Sequence, residues 1–328
     1  MTRVWSEGFE MQDLVGYTTA GGIIDTTYKR SGNAAFIDGS YNYGYLTKAI
    51  TGVSEFFVRF ATYLKSGTTV DFIWKNGGTT LGTISINSSG ISISANGLTA
   101  SGSTILSMGI WYLIEAHIKI DDATGAVEVK LEGNSECSVS GDTKIGAITT
   151  SDSLLFSGSS GSYPDIRLDD IALNDTAGGV DDSWCGDGKI IIVKPSADTA
   201  TLQLTPSAAV DHYTLVDDIP SDSDTTYVES SVDDEEDIYD LAACGLSDVI
   251  ITRIWTEARA KDTAASGLKV ALITKASGGS EVSGGDVALA GGYTTKVLGA
   301  EQRVNPVDSA AWEVADIDAL QGGVRKRS

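Results

Sequence analysis

The stretch from Trp111 to Gly133 is rich in side chains that could do chemistry, since it combines His117 with several glutamates. Hydrolysis of a glycosidic bond needs two carboxylates about 5–5.5 Å apart for retention or about 6.5–9.5 Å apart for inversion. Alternation places Glu115, His117 and Lys119 on one face of a strand and apolar residues on the other. After a glycine-containing turn, the return strand repeats this alternation. Cross-strand pairing in a hairpin accounts for the polar residues, so we assign no catalytic residue here.

Aromatic side chains give the candidates for binding. Tyr41, Tyr43 and Tyr45 share one side of an extended segment. Tyrosine rings can stack on the apolar face of a sugar while their hydroxyls form hydrogen bonds. Trp74, on a later strand, offers the same chemistry. The alternative is that these rings pack inside the protein, and the sequence leaves both interpretations open.

Short strands must position these side chains. Alternating apolar runs are separated by turns such as Asn76-Gly77-Gly78, and helical periodicity is almost absent. The pattern predicts an all-β chain made of antiparallel sandwiches, because a single sheet leaves one apolar face uncovered. One short helix is predicted near the C-terminus, with Trp312, Ile317 and Leu320 buried. Gly322 or Gly323 is expected to end that helix.

A segment rich in glycine and aspartate, Asn174–Lys189, lacks alternation and indicates a boundary between two cores. We therefore predict an N-terminal sandwich at 1–177, a linker at 178–188 and a C-terminal β-sandwich at 189–328. The chain closes on a small basic segment, Arg325–Arg327. This segment is predicted to be either a solvated tail or a docking element for an acidic neighbour.

Several segments of the N-terminal part resemble concanavalin A-like domains of the laminin-G type. They are the Trp111–Gly133 hairpin, DIRLDDIALND at Asp165–Asp175, GFEMQDLVGY at Gly8–Tyr17 and RSGNAAFIDG at Arg30–Gly39. The resemblance implies a jelly roll of two curved antiparallel sheets that binds carbohydrate, binds protein or cleaves glycans. Glucanases of this fold carry Glu-x-Asp-x-x-Glu on one strand face. The nearest counterpart here, Glu235-x-Asp237-x-x-Asp240, lies in an acidic run of the other domain, and such runs are usually solvated surface.

Domains of this class can also hold calcium. The resemblance makes Asp169, Asp170 and Asp175 candidate ligands, because carboxylate oxygens are hard donors. The pair Asp222 and Asp224 is the alternative. Apart from calcium, no cofactor is predicted, since the three cysteines are far apart and show no metal-ligand spacing.

In the C-terminal half, Val210–Val228 and Asn305–Arg325 resemble segments of structural proteins of tailed phages and prophages. We therefore predict a non-enzymatic bacteriophage virion component, from the tail, its fibres or the capsid exterior. Its expected partners are other virion proteins and copies of itself. The alternatives are a carbohydrate-binding module that attaches to a host-surface glycan, and a glycan depolymerase.

Charge and hydropathy limit the other partners. A formal net charge of −22 disfavours nucleic acid and anionic membranes, because the field of the protein would repel them. No apolar stretch reaches the roughly 20 residues of a membrane-spanning helix. The N-terminal residues do not form a secretory signal. We expect the protein to be located in virions that assemble in the host cytoplasm.

Overall fold

A computed structural model describes residues 3–32, 35–37, 45–65, 67–159, 166–264, 266–293 and 295–328. The chain divides into two compact units, Met1–Ile191 and Ile192–Ser328. In both units, antiparallel strands make up nearly all of the regular structure, which confirms the predicted all-β fold.

The first unit folds as a jelly roll of two sheets. Its strands are β1 (Arg3–Glu7), β2 (Thr19–Ala20), β3 (Ile23–Asp25), β4 (Ala35–Ile37), β5 (Tyr45–Val53), β6 (Glu55–Tyr63), β7 (Thr69–Asn76), β8 (Thr79–Asn87), β9 (Gly90–Ala95), β10 (Leu98–Ser101), β11 (Trp111–Lys119), β12 (Gly125–Leu131), β13 (Asn134–Gly141), β14 (Ser151–Ser159) and β15 (Arg167–Asp175). The eight-stranded sheet has the order β13-β12-β11-β6-β15-β4-β3, with β1 also paired to β15. The seven-stranded sheet has the order β10-β9-β8-β7-β14-β5-β2. Strands distant in sequence are neighbours in each sheet, as in sandwiches with Greek-key connections.

An aromatic cluster joins the inner faces of the two sheets. Phe60 of β6 lies 5.6 Å from Phe72 of β7 and 5.1 Å from Phe156 of β14, measured between ring centroids. All three side chains are fully buried. On each of the three strands, the residues immediately before and after the phenylalanine point away from the core.

The segment predicted to be a linker packs instead on the outward face of the eight-stranded sheet. The Trp184 ring contacts Phe57 edge-on, with centroids 5.4 Å apart. The backbone N–H of Gly186 donates to Glu115 Oε1 at 2.7 Å, and Arg59 donates to the Gly186 carbonyl at 3.1 Å. These outward side chains are large or charged and are buried. Because this segment covers these side chains, the first unit extends to residue 191.

The second unit is built around a six-stranded antiparallel sheet. Its strands are β16 (Pro195–Leu202), β17 (Thr205–Pro206), β18 (Val228–Glu229), β19 (Glu236–Leu241), β20 (Glu257–Ala260), β21 (Lys269–Lys275), β22 (Glu281–Ser283), β23 (Val287–Ala288), β24 (Thr295–Leu298) and β25 (Gln321–Arg327). The sheet has the order β16-β19-β25-β21-β22, with β23 also paired to β21, and two further ladders pair β17 with β18 and β20 with β24. A one-turn 3₁₀ helix spans His212–Leu215.

A short helix, α1 (Val314–Asp318), lies near the C-terminus. Trp312, Ile317 and Leu320 are buried in one cluster around it, as predicted. The two glycines do not end the helix, because its last turn closes at Ala319 and they belong to β25. A Cβ at Gly323 would lie 2.4 Å from the Asp237 carbonyl oxygen, so this glycine permits close approach of two strands. In the described part of the chain, no helix is long and apolar enough to cross a membrane.

The basic C-terminal segment is neither a solvated tail nor free to dock. It forms β25, which lies between β19 and β21. Arg325 Nε donates to Glu236 Oε2 at 2.7 Å, and its guanidinium also contacts Glu281 at 2.6 Å. Lys326 and Arg327 form ion pairs with aspartates of the acidic run. The local charge pattern suggested a free end, whereas the strand order brings opposite charges together.

Deleting residues 321–328 should abolish cooperative unfolding of the second unit, because β19 and β21 would both lose the strand between them. We expect scanning calorimetry of the truncated chain to show only the transition of the first unit. The matched control is Arg327→Gln, whose side chain is 37% exposed. It should change the free energy of unfolding by less than about 1 kcal/mol. A truncated chain that keeps both transitions would contradict a central role for β25.

Candidate functional site

One face of the seven-stranded sheet is open to solvent. Along β7, Val70, Phe72 and Trp74 are fully buried and belong to the core. The alternate residues of that strand are half-buried on the opposite side, which we call the outward face; they are Thr69, Asp71, Ile73 and Lys75. The adjacent strands show the same alternation, so the outward face extends across β9, β8, β7, β14 and β5.

Small hydroxyl side chains dominate the outward face. They are Thr47 of β5, Thr83 and Ser85 of β8, Ser92 and Ser94 of β9, and Ser153 and Ser157 of β14. Asp71 lies among them, since it is paired with Ser85 on one side and Ser157 on the other. Ser85 Oγ donates to Asp71 Oδ1 at 2.5 Å. Hydroxyls can both donate and accept, whereas the ionised carboxylate only accepts, so the face can satisfy a ligand with many hydroxyl groups.

An apolar strip crosses the same face. Ile73 of β7 is directly opposite Leu155 of β14, and both side chains are half-buried. Tyr45 lies on the neighbouring β5 strand, paired with Ser157, and is 38% exposed. From β9 to β5 the face spans four inter-strand spacings, roughly 19 Å. This length exceeds a single sugar ring and suits an extended chain.

The structure separates the four aromatic candidates. Tyr45 lies on the outward face, whereas Tyr41 and Tyr43 are outside the described residues. Trp74 is fully buried, with its ring centroid 6.2 Å from that of Phe72. Its indole lies over Gly82, where a Cβ would come within 2.0 Å of the ring. Of the two interpretations of Trp74, sugar binding is wrong and packing inside the protein is correct, because its position in β7 points into the core.

The carboxylates predicted to bind calcium hold other parts of the first unit together. Asp169 Oδ2 accepts the backbone N–H groups of Arg30 and Ser31 at 2.8 and 3.1 Å. The Arg30 guanidinium lies 2.8 Å from Asp170 Oδ2, so a cation of the protein is already paired with this carboxylate. Asp175 Oδ1 instead accepts the N–H of Ala177, two residues along the chain. Across the described ranges, no three acidic, histidine or cysteine side chains are arranged to hold a metal.

The alternative acidic pair, Asp222 and Asp224, is also engaged with protein groups. Asp222 Oδ2 accepts the Thr226 hydroxyl at 2.8 Å. Asp224 forms an ion pair with Lys261 and accepts the hydroxyl of Tyr293. Both carboxylates therefore stabilise the local chain in this region of the second unit.

The hairpin from Trp111 to Gly133 forms as its alternation predicts. Glu115 is paired with Lys130, and His117 with Glu128, between β11 and β12. His117 Nε2 lies 2.8 Å from Glu55 Oε1 on β6, and its ring stacks on Phe57 with centroids 4.3 Å apart. These contacts hold the imidazole against the sheet.

Sequence reasoning missed a buried network in the second unit. Asp237 is fully buried on β19, and its Oδ2 accepts the Tyr239 hydroxyl at 2.9 Å and lies 2.7 Å from His212 Nδ1. Its Oδ1 accepts the N–H groups of Gln203 and Leu204 at 2.7 and 2.9 Å. A carboxylate that orients an imidazole is one element of a general-base site. In the part of the chain described, no serine or cysteine is hydrogen-bonded to this histidine, and the network ties β16, β19 and the 3₁₀ helix together.

Comparisons with known proteins give low similarities. No protein-family model and no curated protein matches the chain. Among solved structures, an endo-β-1,4-glucuronan lyase from the fungus Trichoderma reesei is 16% identical, with a TM-score of 0.43, over 56% of this chain and 100% of that one. A carbohydrate esterase from the Shiga toxin-encoding bacteriophage phi24B is 14% identical, with a TM-score of 0.39, over 53% and 98%. A sialidase is 10% identical, with a TM-score of 0.41, over 54% of this chain and only 19% of that one.

These neighbours correct the prediction of a non-enzymatic protein, since a lyase, an esterase and a sialidase are among them. At such identities the likeness concerns the fold alone. The prediction was wrong because it considered only the carboxylate pair that glycoside hydrolases use. A carboxylate pair flanking one bond is the requirement for hydrolysing glycosides, whereas lyase and ester-cleaving reactions can use other acids, bases and nucleophiles. The absence of such a pair in the sequence does not exclude catalysis.

The Asp169 carboxylate makes stability depend on pH. Burial, together with the charge of Asp170, raises the pKa of Asp169 to about 7 from its ordinary 3.8. Between these values the folded state retains a proton that the unfolded state releases, so this group lowers stability as pH rises. Wild type should therefore lose more melting temperature than Asp169→Asn between pH 4.5 and 7.5. The control Asp175→Asn keeps the buried pair and should follow wild type, whereas parallel curves for wild type and Asp169→Asn would contradict this assignment.

Proposed function

We propose that the first unit binds a glycan chain across the outward face of its seven-stranded sheet. The observation that carries this proposal is the Ile73–Leu155 strip, which is bordered by serine and threonine hydroxyls with Asp71 among them. A sugar ring presents C–H groups on its faces and hydroxyls around its rim. The apolar strip can pack against the C–H groups, and the serine and threonine hydroxyls can form hydrogen bonds with the hydroxyls of the rim.

The energetics favour a chain over a single ring. The residues of the face are small, so each sugar buries little area and contributes a modest free energy. Several contacts along roughly 19 Å add up, and display of several copies would raise the effective affinity further. Tyr45 at the edge provides a larger ring on which a sugar can stack.

Charge narrows the class of glycan. Asp71 is the one carboxylate on the described outward positions of β9, β8, β7, β14 and β5, and the whole chain carries a net charge of −22. This field repels polyanionic glycans. Ser85 holds the Asp71 carboxylate in place, so this side chain loses little conformational freedom when a ligand binds beside it. We therefore favour a neutral polysaccharide of a host surface as the ligand.

We further infer that the protein is a component of a tailed-phage virion, where the second unit contacts other virion proteins or further copies of the chain. The resemblance of Val210–Val228 and Asn305–Arg325 to phage structural proteins supports this placement. Exposed apolar side chains in the same unit also support it, since Ile250 is 89% exposed and Val307 is 50% exposed. Exposed apolar groups of this kind are typical of assembly contacts.

Leu155→Asp tests the proposed glycan face, because it places a charge on the apolar strip without altering the core. We expect the dissociation constant for purified neutral host polysaccharide to rise at least about tenfold, which corresponds to about 1.4 kcal/mol. Isothermal titration measures the change, and the melting temperature reports folding. The matched control is Ile250→Asp, an exposed apolar residue of the other unit. The same polysaccharide should be assayed for shortened or de-esterified products. Unchanged affinity in a folded Leu155→Asp variant argues against this face.

Purified particles test the proposed location. We expect mass spectrometry of gradient-purified virions to detect the chain at a fixed ratio to the major capsid protein, and immunogold labelling to place it at one site on the particle. The soluble lysate fraction serves as the control. Detection in that fraction alone would reject the virion assignment while leaving glycan binding intact.

A further inference from the structure

A row of aromatic side chains lies on the outward side of the other, eight-stranded sheet. Trp111 of β11 is paired with Tyr63 of β6, and their ring centroids are 5.7 Å apart in an edge-on arrangement. Arg167 of β15 continues the row, since its guanidinium carbon lies 3.8 Å from the ring centroid of Tyr28 and 4.8 Å from that of Tyr63. We call these four residues the aromatic row.

The three rings of the aromatic row are accessible at one end of a sheet face that is otherwise covered, whereas Arg167 is buried beneath them. Along β6, Phe57 and Arg59 point to the same side as Tyr63 but are buried under the segment that follows β15. Tyr28 is 47% exposed, and Trp111 and Tyr63 are half-buried. Because the row spans β11, β6 and β15, it covers two inter-strand spacings, roughly 10 Å.

The polar atoms of the row are also available. In the described structure, the Trp111 indole N–H and the hydroxyls of Tyr28 and Tyr63 form no hydrogen bond with protein groups. Buried or bound tyrosine and tryptophan side chains normally use these groups. The row therefore presents three ring surfaces, each with a polar group beside it.

We propose that the aromatic row binds an uncharged hexose chain, at a second glycan site distinct from the seven-stranded face. A sugar can stack on an aromatic ring while its hydroxyls form hydrogen bonds with a neighbouring indole N–H or phenol hydroxyl. The aromatic row places these groups side by side. Arg167 stacks against Tyr28 and limits the freedom of that ring, so less conformational entropy is lost on binding.

The length of the aromatic row and the net charge of the protein favour an uncharged hexose chain over other ligands. A row of about 10 Å is too small for a stable protein interface, which buries about 800 Å² on each partner. The net charge of −22 disfavours uronate-rich glycans, nucleic acid and anionic lipid. The residues of the aromatic row belong to the eight-stranded sheet, so this proposal does not depend on glycan binding by the seven-stranded sheet.

Intrinsic fluorescence of the full chain tests the proposal. Wild type is titrated with maltohexaose, cellohexaose and laminarihexaose, and at least one is expected to shift indole emission at saturation. Trp111→Phe should remove that shift, which assigns it to one of the six tryptophans. Tyr28→Ala should raise the dissociation constant at least tenfold, while Tyr28→Phe, which keeps the ring, should raise it less. Melting temperatures of the variants verify folding.

Leu155→Asp is the matched control, since it alters the seven-stranded face and leaves the aromatic row intact. It should keep the emission shift, whatever its effect on retention of the host polysaccharide. Three outcomes overturn the second site. They are no emission change with any of the three sugars, wild-type affinity in folded Tyr28→Ala, and loss of the shift in Leu155→Asp. Failure of the seven-stranded face alone appears as unchanged polysaccharide affinity in Leu155→Asp while the emission results hold.

Discussion

The packing of Phe60, Phe72 and Phe156 between the two sheets is the contact on which the first unit depends. With ring centroids about 5–6 Å apart, these side chains set the separation of the sheets and bury large apolar surfaces. Because strands alternate, each core residue fixes the direction of its neighbours. Phe72 buried in the core leaves Asp71 and Ile73 on the outward face. The same constraint therefore builds the core and presents the candidate binding surface.

The outward face of the eight-stranded sheet is largely covered and that of the seven-stranded sheet is open, because their side chains differ. The eight-stranded sheet presents Phe57, Arg59 and Glu115, which would be unfavourable or unsatisfied without cover. The segment 182–191 supplies that cover together with hydrogen-bonding partners for the charged groups. The seven-stranded sheet presents mainly hydroxyls, which water satisfies, so it can remain open. The composition of alternate positions decides which surface is available to a ligand.

Alternation predicted much of this arrangement, including the hairpin from Trp111 and the burial of Trp312, Ile317 and Leu320. The same rule places Trp74 with Phe72 in the core, which decides between the two interpretations that its aromatic character left open. Other features had no local signal. Arg325 meets Glu236 and Glu281 only through strand order, and His212 meets Asp237 across 25 residues. Long-range pairing of this kind depends on topology, which a single sequence specifies only indirectly.

Two adjacent buried carboxylates, Asp169 and Asp170, have a structural role in the first unit. In β15, a bulge with a positive φ of 51° at Asp170 allows two adjacent aspartates to be buried together. Such a pair is tolerated only with many donors, and Arg30, Ser31 and the N–H of Ile190 supply them. The acidic pair thus fastens the segments around residues 30 and 190 to the sheet. Asp169 and Asp170, which look chemically active in the sequence, are thus structural residues that hold the fold together.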